Sequence, residues 1–117
     1  MRAHYLLQGE KFVSAFRFIS RKVHKISKEH GFWDEKRNDG EVIALIHSEL
    51  SEVLEALRHN NPSSKRIVEF SSVEEELADV VIRVMDYARG NDLLLADAIL
   101  AKIDYNKGRD FMHGKSF

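Results

Sequence analysis

The chain writes "ELADVV" at Glu76–Val81 and "ELSEVL" at Glu49–Leu54, nearly the same word twenty-seven residues apart. Each word sets two acidic residues three apart inside an apolar stretch, which is the spacing of one helix face. Around the earlier word Ile43, Ile46, Leu50, Val53 and Leu57 recur at threes and fours, predicting a helix from about Glu41 to about Arg58. Around the later word Val73, Leu77, Val80, Val84 and Ala88 predict another helix. Ser72 with Glu75 three residues later gives it a capping box, and Gly90 ends it. Upstream, Phe12, Phe16, Ile19, Val23 and Ile26 form a helical seam that stops at His30-Gly31. Downstream, Asn91 or Asp92 can cap a fourth helix running to about Asn106. Met1–Gly9 is treated as a leader without assigned structure, and "KGRDFMHGKSF", residues 107–117, has no period and reads as an irregular tail. The expected fold is a single all-α domain over residues 1–117, a four-helix bundle.

Composition agrees with that reading. One proline and six glycines among 117 residues favour long helices over a turn-rich β-fold. Hydrophobic residues at 44% and charged residues at 32% describe a globular chain, not a disordered one. With no cysteine there is no disulfide framework and no thiolate metal site. Eighteen basic and nineteen acidic residues leave a net charge of −1, so no global basic field draws the chain to nucleic acid. No apolar run approaches ~18 residues and no signal pattern opens the chain, so a cytoplasmic location without membrane contact is expected. The connection "NNPSSKRIVEFSS", residues 60–72, is long enough to suggest a functional loop.

The two acidic words carry the chemistry. At 100° per residue, Glu49 and Glu52 fall on the flank of the apolar stripe of their helix, and Glu76 and Asp79 on the same flank of theirs. Antiparallel packing of these flanks would bring four carboxylates to the edge of the core. Their mutual repulsion and partial desolvation would then call for a cation. Oxygen donors suit Mg²⁺ or Mn²⁺, which leave positions open to water and phosphates. A single pair of this kind is ordinarily a solvated face. The repeat of the same frame beside two apolar stripes argues against that here. The helix dipole accounts for Glu74 and Glu75 near a helix start but not for Asp79. Di-iron chemistry is excluded, because no His lies three residues after a Glu.

E-x-x-E followed after 23 residues by E-x-x-D, on two helices of a small all-α chain, resembles the MazG-like all-α nucleoside triphosphate pyrophosphohydrolases. The resemblance runs from about His30 to Lys115. It includes "FW" at Phe32-Trp33, with Trp33 sixteen residues before the first acid, and "KIDYNKGR" at Lys102–Arg109, like the family's Lys-x-x-x-Asn-x-x-Arg ending. It implies that Glu49, Glu52, Glu76 and Asp79 hold Mg²⁺, and that Glu49 or Glu52 orients and deprotonates the attacking water. Lys102, Asn106 and Arg109 would meet phosphates or sugar, Trp33 would line a base pocket, and Arg83 would lie on the substrate side one turn beyond Asp79. Relatives that prefer deoxycytidine nucleotides often place an aromatic residue at that position, so Arg83 leaves the base open.

The implied reaction converts a nucleoside triphosphate to the monophosphate and pyrophosphate, for house-cleaning or control of the deoxynucleotide pool. Relatives that cleave dUTP, dCTP or phosphoribosyl-ATP are alternatives within the fold. A nucleotide-binding helical module without turnover is the alternative outside enzymes. For the neighbouring residues the plainer roles stand beside these: Trp33 as a plug at the bundle end, Lys102 as a last-turn cation, and His24 or His47 as packed or solvated residues. The apolar faces of both acidic helices look broader than one chain can cover, so a homodimer or homotetramer is expected.

Overall fold

The computed structural model describes the backbone of residues 2–117 and the side chains of residues 8–117. Four α-helices, α1 (Arg2–Glu29), α2 (Asp39–Arg58), α3 (Ser72–Gly90) and α4 (Leu95–Lys107), are followed by a short 3₁₀ turn at Phe111–Gly114. Among the described residues there is no strand, only an isolated bridge between Ser63 and Ser71. Among the described residues no helix is long and apolar enough to cross a membrane.

α1 is longer than the seam predicts, because the segment assigned to a leader is helical from Arg2 onward. Its one glycine is Gly9, which stands 3.4 Å (measured from an ideal Cβ) from Leu100 of α4, so packing carries the helix past it. The far end is a Schellman turn. Gly31 takes φ +87°, its N–H bonds Lys28, and the Phe32 N–H reaches back to Ser27. α2 begins at Asn38, whose side chain accepts from the Glu41 N–H.

Two predicted caps move. The capping box of α3 is Ser71 with Glu74, one residue earlier than expected. The reason lies in the preceding connection, which folds around Ser64, only 3% exposed. The Ser64 hydroxyl donates to Glu75 and accepts from the N–H groups of Arg66 and Ile67, so Glu75 is already engaged. At the other end, α4 starts after Leu94 with no side-chain cap. Asn91 and Asp92 instead close α3, donating to the carbonyls of Tyr87 and Arg89.

Gly90 is more than a stop signal. A Cβ built there would lie 2.2 Å from Cη2 of Trp33, so the indole sits on the bare backbone of α3. Gly90→Ala must displace that ring, and the expected destabilisation is about 1–3 kcal/mol, read as a lower urea midpoint at unchanged slope. A wild-type midpoint would show that Trp33 does not rest there.

The helices pack in the order α2, α3, α1, α4, with α3 against both α1 and α2 and with α4 on α1. The radius of gyration is 17.0 Å, whereas a compact domain of this size has about 13 Å. Among the described residues Val42, Ala56, Ala88 and Ala96 are the buried apolar ones, and no large side chain is fully enclosed. Leu50, Leu57 and Leu77, expected on core faces, are each close to half exposed.

Candidate functional site

The α2–α3 packing brings the two acidic words together. One carboxylate oxygen from each of Glu49, Glu76 and Asp79 lies within 4.8 Å of the others, and all three side chains are partly buried. Glu52 is exposed and outside this group, although its charge is felt at Glu76. Of the neighbouring acids, Glu74 is spent on the capping box, and Glu75 is held by Ser64 at 2.8 Å and by Arg66 at 3.3 Å.

Burial pushes the Asp79 carboxyl above its ordinary range; Glu49 and Glu75 add to the rise, while Arg66 and Arg83 oppose it. Glu76 is raised for the same first reason, and then by the charges of Asp79, Glu75, Glu49 and Glu52. Such a group binds its proton more tightly folded than unfolded. Its stabilising contribution is therefore complete below the unfolded pKa and is lost as pH rises through the folded one. Without divalent metal, Asp79→Asn is expected to melt above wild type near neutral pH. The gap should close as pH falls through the raised range, where wild-type Asp79 takes up its proton. A gap that is absent, or constant with pH, would rule out repulsion at Asp79.

Arg83 is the cation inside this group. Its Nε lies 2.9 Å from Oε1 of Glu49, whose side chain is 17% exposed. One face of Arg83 borders a cavity of about 230 Å³ between α1 and α3. Asp79, Ile82 and Asp86 line it from α3, Val23, Ile26 and Ser27 from α1, and His30, Phe32 and Arg37 from the segment after α1. The Arg37 guanidinium stands 5.8 Å over the Phe32 ring.

Asp86 and Ser27, on the wall of this cavity, belong to a polar hub that was not among the expected site residues. Asp86, 9% exposed, accepts from the Ser27 hydroxyl at 2.7 Å and from the Trp33 indole N–H at 3.0 and 3.1 Å. Nδ1 of His24 lies 2.8 Å from the same carboxylate, and the His24 ring meets Trp33 edge to face. The signal was present: Glu76, Asp79, Arg83 and Asp86 sit at spacings of three, four and three, so one stripe of α3 carries them all. Trp33 is thus bound to Asp86 and packed on Gly90, and Phe32 rather than Trp33 is among the residues lining the cavity.

Lys102, Asn106 and Arg109 lie elsewhere. Lys102 and Asn106 are on α4, which ends at Lys107, so Arg109 follows in the turn instead of extending the helix. Lys102 and Arg109 both approach the Tyr105 ring, at 4.5 and 5.8 Å. Oδ1 of Asn106 is buried without a hydrogen-bond partner among the described residues. No α4 residue lines the cavity beside Asp79. Comparison with known proteins adds no relative: no family model, curated protein or solved structure matches the chain.

Proposed function

We propose that the chain is a Mg²⁺-dependent nucleotide pyrophosphohydrolase of the MazG-like kind, turning a (deoxy)nucleoside triphosphate into the monophosphate and pyrophosphate. The observation that carries this reading is the convergence of Glu49, Glu76 and Asp79 from the two echoing words. An all-oxygen donor set with two carboxyls raised by burial and mutual repulsion fits a hard divalent cation, Mg²⁺ or Mn²⁺ as substitute. When bound, that cation would neutralise phosphate charge and polarise the phosphoryl group under attack.

The chain's own residues take the other roles. Glu49, or Glu52 from its exposed position, orients the attacking water and removes its proton. Arg83 and Arg37 face the cavity where an anionic ligand would extend from the acids. Phe32 offers an aromatic wall, while Trp33 is held on Asp86 beside it in sequence. Lys102, Asn106 and Arg109 would reach phosphate or sugar from a second copy of the chain. The half-exposed leucines of α2 and α3 support such a homodimer or homotetramer. Sedimentation should then give a mass near ~27 or ~54 kDa, and an active 13.5 kDa monomer would refute the shared site. The cellular setting proposed is cytoplasmic nucleotide metabolism, with neither nucleic acid nor membrane as partner.

The decisive experiment is incubation with Mg²⁺ across a panel of nucleoside triphosphates, with products resolved by phosphorus NMR. Monophosphate and pyrophosphate are expected. Orthophosphate with diphosphate would move the cleavage point, and nucleotide binding without turnover would turn the reading toward a regulatory module.

A further inference from the structure

The Arg83–Glu49 ion pair bears on how that proposed site would fill, and its role rests on the metal reading of the three acids. Glu49 supplies one of the three converging oxygens, yet its Oε1 already accepts from Nε of Arg83 at 2.9 Å. A guanidinium and a divalent cation drawn to the one Glu49 carboxylate repel each other strongly. Arg83 also borders the cavity that adjoins Asp79, and its side chain is 39% exposed, so it has room to turn away. We infer that Arg83 is the resident counter-ion of the carboxylate group, displaced from Glu49 when a divalent cation enters and handed to a phosphate of the ligand in the adjoining cavity.

Two consequences have opposite signs. Metal alone must compete with Arg83, so its affinity is held down. Metal arriving with a polyphosphate gains Arg83 as a second binding group, because a guanidinium is matched to phosphate oxygens. The pair therefore couples the metal to its anionic ligand. Arg66 makes a suitable control. It also lowers the proton affinity of Asp79 through its charge, but its ion pair is with Glu75, outside the three-oxygen group.

The test is Mn²⁺ titration of the full chain monitored by electron paramagnetic resonance, first with the metal alone and then with inorganic tripolyphosphate. Without polyphosphate, Arg83→Gln should bind Mn²⁺ roughly five- to tenfold more tightly than wild type, while Arg66→Gln stays within about twofold. With tripolyphosphate the order should reverse, the Arg83→Gln chain binding the complex roughly tenfold more weakly. Arg83→Met repeats the test with an apolar chain, and far-UV circular dichroism checks that the helices remain. Equal Mn²⁺ affinity in wild type and Arg83→Gln, or equal tightening by Arg66→Gln, overturns the displacement. Unchanged tripolyphosphate binding overturns the hand-over. The site itself is judged separately: if Asp79→Asn binds Mn²⁺ as wild type does, the carboxylate reading fails whatever Arg83 does.

Discussion

Asp79→Asn and Glu49→Gln are each expected to lower kcat/KM for triphosphate cleavage by about a thousandfold or more, equivalent to about 4 kcal/mol of transition-state stabilisation. The reason is geometric. Both residues give an oxygen to the group that spans no more than 4.8 Å, and neither amide can supply the same charge at the same place. The loss should be in catalysis and not in folding, because these side chains are partly exposed and Asp79 is held there against repulsion. Helical circular dichroism should therefore match wild type. Glu52→Gln separates two roles. If Glu52 is the base, its loss should approach that of Asp79→Asn, whereas an onlooker would cost little. Full activity in Asp79→Asn and Glu49→Gln would remove the carboxylate site from the reaction.

The largest effect on stability is expected at Asp86. Replacing it by Ala leaves the Ser27 hydroxyl, the Trp33 indole N–H and the His24 ring without their shared acceptor in a nearly closed environment. Breaking a buried charged group's partnership costs about 3–5 kcal/mol, against a total of about 5–15 kcal/mol for an ordinary domain. Asp86→Asn keeps one carbonyl acceptor and should cost less. Trp33 is the only tryptophan, so its fluorescence in urea follows the hub directly. An Asp86→Ala midpoint equal to wild type would mean that the hub contributes nothing to the fold.

Much of the architecture could be read from periodicity. The seams through Phe16, Leu50 and Val80 located three helices because apolar spacing follows the helix turn, whatever the tertiary partner. The same spacing placed the acids on facing flanks, and Glu49, Glu76 and Asp79 do converge. What failed was local chemistry decided by distant partners. Glu75 looked like a capping residue, yet Ser64 and Arg66 of the preceding connection claim it. Asn91 and Asp92 looked like the start of α4, yet they close α3. Gly90 was legible as a breaker, while its service to Trp33 needed the third dimension. Asp86 shares the stripe of Glu76, Asp79 and Arg83, but that spacing does not tell a buried hub from a solvated acid until its three partners are in place. The end of α4 was legible, since it stops at Lys107, one residue past the expected Asn106, and Arg109 lies in the turn beyond it.

The order of packing also has a bearing on assembly of the fold in time. α2 and α3 are neighbours in sequence and in space, joined by a connection that closes on itself, with the Ser72 N–H bonded to the Pro62 carbonyl. α1 meets α3 only after a span that includes all of α2, and it meets α4 across nearly the whole chain. Loop-closure entropy favours the local pairing first, so the α2–α3 hairpin is the natural nucleus, with α1 and α4 docking afterward. All three converging carboxylates belong to that hairpin. Their repulsion is therefore met early on the route to the native state, whereas the Asp86 hub, which needs α1, closes late.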